Sequence, residues 1–179
     1  MEMLRDKIRG LEQRIVEMIR HGQDNVAIAD KLHRWTRSLM TTERAAELPD
    51  VLVRELMHHY MIPQAGIRVW GAAPEFASTS FAQPVSDDVR TFAASLSVPY
   101  CGINSGFEAA RWLEDPAGAK SMAMIPLRTE LGGVGSAFGM LVVASPDPTR
   151  YSAEMGTDFL ERIGEIASAA LSRVLPPRG

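Results

Sequence analysis

Apolar residues in the first part of the chain recur at the spacing of an amphipathic helix. Residues 3–41 contain no proline and only two glycines, and apolar side chains return there every three or four positions. Such spacing places side chains on one helical face. This first stripe consists of Leu4, Ile8, Leu11, Ile15 and Ile19, with Val26 continuing the same face. We therefore predict a long N-terminal helix within residues 1–41.

The apolar face changes sides near residues 22–24. The second stripe consists of Ile28, Leu32, Trp35 and Leu39. Ile28 follows Ile19 by nine residues, which at about 100° per residue is half a turn out of phase. One long helix explains this pattern if the first stripe forms a dimer interface and the second lies on the following domain. A helical hairpin broken at Gly22 and Gln23, with Asp24 as N-cap, is the alternative.

Two apolar runs later in the chain predict a β-hairpin. Residues 120–128 and 135–145 flank a polar turn around Gly132 and Gly133. The second run is apolar from Phe138 to Ala144 without alternation. A strand of this kind is expected to be buried on both faces.

The remaining pattern predicts short elements around this hairpin. We expect a helix at Pro49, a strand over 65–70, a helix over 86–96 capped by Ser86, a strand over 98–101, a helix over 106–113 and a closing helix over 152–175. Residues 71–84 read as a loop with a short strand near Phe81.

Composition and charge indicate which partners and which cellular location to expect. Apolar residues make up 46% of the 179 positions, and the formal net charge is −3. No broad basic field is present for nucleic acid or an anionic membrane, so neither partner is predicted. Cys101 is the only cysteine, and the N-terminus lacks the apolar core of a signal peptide. These features indicate a cytoplasmic protein.

No catalytic or metal-binding constellation is visible. The spacings His-x-x-x-His, Cys-x-x-Cys and Gly-x-Ser-x-Gly are absent, and the adjacent His58 and His59 would point about 100° apart on a helix. We predict neither a metal nor a cofactor, and no enzymatic activity. Cys101 has two interpretations: a small buried apolar residue, or a redox-sensitive or ligand-contacting thiol.

The order of elements resembles a GAF domain, a ligand-sensing fold related to PAS. The segments that carry this resemblance are residues 121–127, 138–143, Tyr151 with 159–160, and 166–171. Nearly end to end, the chain also resembles a bacterial family of uncharacterised proteins that places a long N-terminal helix before a GAF-like domain. The supporting segments are residues 24–25, 32–36, 100–102, 145–151 and 155–160.

The resemblance implies an α+β fold with an antiparallel sheet and helices on both sides. The GAF-like domain would occupy residues 42–179. The first and last helices would pack on one face, where GAF domains often dimerise, and residues 86–120 would roof a pocket on the other. The candidate ligand-binding residues are Arg68, Trp70, Tyr100, Cys101, Ser121 and Met124. Arg68 and Trp70 share one face of the first strand, either on the pocket floor or under the helices.

The leading functional hypothesis is a non-enzymatic small-molecule-binding or regulatory module that acts as a homodimer and signals through its helices to a partner protein. A structural interaction scaffold with a collapsed pocket is the second hypothesis. An enzyme that uses the Cys101 thiol is the third.

Overall fold

Four strands form one antiparallel sheet, and helices cover both of its faces. The structure, a computed structural model, describes residues 2–129, 137–152 and 157–176. Its helices and strands are α1 (Glu2–Met40), α2 (Leu48–Tyr60), β1 (Gln64–Val69), α3 (Asp87–Ser95), β2 (Tyr100–Ile103), β3 (Ser121–Arg128), β4 (Ala137–Ser145) and α4 (Asp158–Leu171). The strand order is β1-β4-β3-β2. The expected α+β class and the expected β3–β4 hairpin are thereby confirmed.

Helix α1 is continuous, so the hairpin broken at Gly22 is wrong. Its second half is anchored on α2 by Trp35, which is fully buried and donates its indole N–H to the Leu52 carbonyl over 3.0 Å. The Tyr60 hydroxyl donates to the Ile28 carbonyl at 3.2 Å. This half of α1 therefore shares its core with the rest of the domain.

One face of the sheet, here called the helix face, is covered by α1, α2 and α4. Its buried core includes Leu39, Leu52, Ile125, Leu141 and Leu171. Helix α4 approaches β3 closely, since a Cβ added at Gly164 would lie 2.7 Å from Cγ2 of Ile125. Ala167, three residues further along α4, is fully buried on the same face.

Glycine at position 139 permits the edge strand β1 to pair closely with β4. Gly139 is opposite Val69 in the β1–β4 register. A Cβ there would lie 2.7 Å from the Arg68 carbonyl oxygen, a contact that real side chains do not make. A larger residue would therefore push β1 away from β4.

Two of the expected local elements are wrong. Phe81 lies in a 3₁₀ turn, Ser80–Ala82, and is buried beside Phe76 with ring centroids 6.1 Å apart. The expected helix over 106–113 is a 3₁₀ segment, Glu108–Trp112. Each segment buries side chains in the core, Phe81 in the first and Ala109 and Ala110 in the second, and such tertiary contacts override weak local preferences.

Other elements differ from expectation only in their boundaries. Strand β2 begins two residues late, at Tyr100, and α4 begins at Asp158. Helix α2 begins at Leu48, so its N-cap is Glu47. The turn expected at Gly132 and Gly133 lies outside the described residues.

Replacing Trp35 tests the anchor of α1. Trp35→Ala is expected to lower the free energy of unfolding by about 3–5 kcal/mol, because it leaves a cavity and removes the buried hydrogen bond to the Leu52 carbonyl. The exposed Met40 lies on the same helix. Met40→Ala is the control and should change stability by less than about 0.5 kcal/mol. Urea unfolding at one fixed protein concentration measures both, and equal losses would contradict the anchor.

Candidate functional site

The second face of the sheet is covered by α3 and residues 107–119, and we call it the roofed face. Because successive strand residues point to opposite faces, Met122 and Met124 of β3 lie on it while Ala123 and Ile125 lie on the helix face. The buried residues that pack together here are Val89, Ala93, Ala109, Ala110, Leu113, Ala119, Met122, Met124, Ala137, Met140, Val142 and Ala144. The expected two-sided cover of the sheet is confirmed.

An aromatic cluster closes the roofed face at the β2 edge. The ring of Phe92 from α3 lies 6.1 Å from that of Tyr100 and 6.0 Å from that of Phe107, measured between centroids. The Tyr100 and Phe107 rings are edge to face at 5.2 Å. This edge is therefore apolar and joins the roof to the sheet.

Arg68 occupies the roofed face at the opposite edge, on β1. Its guanidinium carbon lies 5.5 Å from the centroid of the Trp112 ring, and one N–H donates to the Ile67 carbonyl at 2.9 Å. Among the described residues, no carboxylate forms an ion pair with it. Partial burial lowers the pKa of Arg68 by desolvating the charged form. The site is thus a half-buried cation beside an aromatic face, with no anionic side chain opposite.

Close approach of the roof to β1 places Trp112 over Arg68. A Cβ added at Gly66 would lie 3.2 Å from the Trp112 carbonyl oxygen. Trp70 lies on the same face as Arg68 and donates its indole N–H to the Ala137 carbonyl at 2.9 Å. Glycine at 66 and tryptophan at 112 thus determine the shape of this edge together.

Arg128 connects the two layers through β3. Its guanidinium donates to the Ala93 and Ala94 carbonyls at 3.0 and 2.9 Å, in the last turn of α3. Its backbone N–H donates to the hydroxyl of Ser168 in α4 at 3.0 Å. Burial lowers the pKa of Arg128. Cations stabilise the carbonyl end of a helix, so Arg128 ties the roof to the sheet.

Two of the six candidate ligand residues lie away from the roofed face. Cys101 is 7% exposed and packs in the core of the helix face. The Ser121 hydroxyl donates to the Asp147 carbonyl at 2.6 Å and accepts from the Tyr151 N–H at 3.2 Å, so it holds the chain after β4. Burial raises the pKa of the Cys101 thiol. Neither residue can contact a ligand between the sheet and its roof.

The other four candidates all lie on the roofed face, but they are too far apart to form one site. Arg68 and Trp70 lie at the β1 edge, Tyr100 at the β2 edge, and Met124 between them. Three strand spacings, about 14 Å, separate the two edges. Trp112 and Arg128 were missed, since their roles depend on partners distant in sequence.

The five candidates for the dimer interface all face solvent. Leu4, Ile8, Leu11, Ile15 and Ile19 are each 54–63% exposed. Nothing in the described part of this chain covers them. Within that part, no group of three or more His, Cys, Asp or Glu side chains could hold a metal ion. None of the described helices has the length and apolar character needed to cross a membrane.

Comparison with protein families gives one match. A model described as "Protein of unknown function, DUF484" matches residues 1–175. This confirms the expected resemblance to an uncharacterised family. The comparison with curated proteins gave no match.

Solved structures similar to this one include GAF domains. The GAF domain of a phosphoenolpyruvate-protein phosphotransferase from Coxiella burnetii has a TM-score of 0.59 and 12% identity, covering 83% of this chain and 94% of that one. The corresponding domain from Acinetobacter has a TM-score of 0.58 and 14% identity, over 81% and 92%. The phycoerythrobilin-bound GAF domain of a cyanobacterial phytochrome has a TM-score of 0.54 and 12% identity, over 84% and 97%. The fold is therefore a GAF fold, as expected.

Replacing Arg128 tests the connection between roof and sheet. Arg128→Met is expected to lower the free energy of unfolding by about 2–3 kcal/mol, because two carbonyls at the end of α3 lose a charged donor. Hydrogen exchange of the α3 amides should rise more than that of α2. Arg90, exposed on α3, supplies the control Arg90→Met. Equal exchange in the two variants would refute the role of Arg128.

The burial of Cys101 predicts an unreactive thiol. Because burial raises its pKa, less thiolate is present near neutral pH, and attack by thiol reagents requires opening of the core. We expect labelling with a chromogenic disulfide reagent to be slower by at least about 100-fold in the folded protein than in denaturant. Rapid labelling of the folded protein would contradict this prediction and would favour an enzyme that uses the Cys101 thiol.

Proposed function

This chain belongs to DUF484, a family of unknown function, and we propose that it is a non-enzymatic regulatory module that binds a small anionic molecule on its roofed face and acts as a homodimer. The observation that carries the proposal is Arg68, a half-buried cation over the Trp112 ring with no ion pair among the described residues. A carboxylate or phosphate on a ligand would supply the missing charge.

The neighbouring aromatic groups favour a ligand with a flat apolar part. Trp70 and Trp112 flank Arg68, and the buried methionines Met124 and Met140 supply an adaptable apolar floor. The cyanobacterial phytochrome domain, which shares this fold, is described as bound to phycoerythrobilin. For the present chain, it is Arg68 and its surroundings that support a ligand on the roofed face.

A ligand under the roof has a physical route to the helix face. Movement of α3 would act on Arg128, which bonds the end of α3 with its side chain and Ser168 of α4 with its backbone N–H. Beyond α4, Arg173 donates to the carbonyls of Thr42 and Glu43, directly after α1, at 2.7 and 2.8 Å. We propose that ligand binding shifts α4 against α1 and that a cytoplasmic partner protein reads the shift.

A structural scaffold is the second candidate function. Met122, Met124 and Met140 are at most 1% exposed and fill the space between sheet and roof. A face filled in this way would serve to hold the domain together, and the exposed half of α1 would then be the functional surface.

Native mass spectrometry separates these two functions. We expect freshly purified protein to give a dimer with a small additional mass that is lost on denaturation. Arg68→Met should lose that mass and keep the dimer, since removing a charged partner costs about 1.5–3 kcal/mol, roughly 10- to 150-fold in affinity. Arg111→Met, at an exposed position of the roof, is the control and should keep the mass.

The other outcomes of this measurement are equally direct. A dimer without additional mass, in the wild type and in both variants, would favour the scaffold. An additional mass that Arg68→Met retains would place the ligand elsewhere. A monomer would contradict the dimer in either function.

A further inference from the structure

The first half of α1 is a helix without a partner in its own chain. Its apolar side chains face solvent, including Met18 at 72% exposed. Most of the stability of a helix in a protein comes from packing of its apolar face, which this half lacks, and Gly10 and Gly22 weaken it further. A second helix laid on the apolar face would supply the missing burial.

The exposed apolar positions follow a heptad repeat more closely than a simple stripe. With Ile8 at position a, isoleucine occupies both a positions, Ile8 and Ile15, and leucine occupies d at Leu4 and Leu11. Met18 is the next d residue, and Ile19 falls at the flanking e position. Isoleucine at a with leucine at d is the pattern that favours two parallel strands.

We propose that α1 pairs with α1 of a second copy as a parallel, in-register, two-stranded coiled coil over residues 4–18. The inference deepens the homodimer of the proposed function and rests on it; the orientation and register are new.

Charges beside the apolar seam favour the parallel arrangement. Lys7 is at position g and Glu12 at e, and in a parallel pair g of one helix lies beside e of the next heptad on the other helix. Lys7 therefore meets Glu12 of the second copy, twice by symmetry. An antiparallel pair that matches a with d would bring Arg5 to Glu12 but also Lys7 to Arg14, so attraction and repulsion would cancel.

The coil seam and the domain-facing residues lie on different sides of one continuous helix. At about 100° per residue, the centre of Leu32, Trp35 and Leu39 lies about 110° around the helix axis from the centre of the a and d residues. In a parallel pair, each domain would therefore lie to the side of its own helix, away from the line of helix–helix contact. The two-fold axis of such a pair places the two domains on opposite sides of it.

Cysteine cross-linking in the full chain tests the orientation. Leu11→Cys places thiols at facing d positions, and mild oxidation should link most of the protein into a covalent dimer. Gln13→Cys, at the outward f position, is the matched control and should remain unlinked. The wild type should also remain unlinked because Cys101 is buried. Adding Ile8→Glu to Leu11→Cys should abolish the link by placing like charges in the seam.

Each contrary outcome has a distinct meaning when light scattering is measured alongside. A link between mixed Ile8→Cys and Leu11→Cys proteins, with none in Leu11→Cys alone, would overturn the proposal in favour of antiparallel pairing. If the protein is a dimer but neither Leu11→Cys alone nor the mixed proteins form a link, the coiled coil is also overturned. The homodimer of the proposed function would then use another interface. A monomer at micromolar concentration would contradict both the coiled coil and the homodimer of the proposed function.

Discussion

The fold depends on a pair of central strands that must be kept from water on both faces. All nine residues of β4 are buried, as are seven of the eight in β3. Two such strands cannot form one side of a simple two-layer domain, so the chain has to supply a layer on each side. The helix face is built from both ends of the chain and the roofed face from its middle. Any change in one layer therefore reaches the other through β3 and β4.

Arg128 shows how the two layers are joined at one point. Burying a guanidinium is costly, and here the cost is offset because the charge meets two carbonyls where the α3 dipole is negative. An apolar side chain at this position would carry a smaller desolvation cost but would remove the charged donor from those carbonyls. Arg68, by contrast, is half-buried with a carbonyl and an aromatic ring as its described partners. Arg128 is therefore a structural link between the layers, whereas Arg68 is a candidate ligand-binding residue.

Much of the fold could be predicted from the sequence because it depends on periodicity. The spacing of Leu4 to Leu39 and the unbroken apolar run of β4 each fix an element without knowledge of its partners. Residues whose role depends on distant contacts could not be found in this way. Phe81 and Trp112 are held by tertiary packing, and nothing local marks Arg128. The sequence does imply that Tyr100 and Cys101, as neighbours in one strand, point to opposite faces of the sheet, and the structure places them so.

Because α1 is continuous, a rotation of one half of the helix is transmitted to the other half. No loop separates its exposed first half from the half that Trp35 fixes to α2, so each part determines the rotation of the other. A helix turns about 100° per residue, so a small rotation of α1 about its axis changes the direction in which the attached domain lies. If α4 shifts against the end of α1, the shift must either strain the Trp35 anchor or rotate the exposed stripe. The stripe meets the weaker resistance because it is the part of α1 that its own chain does not hold.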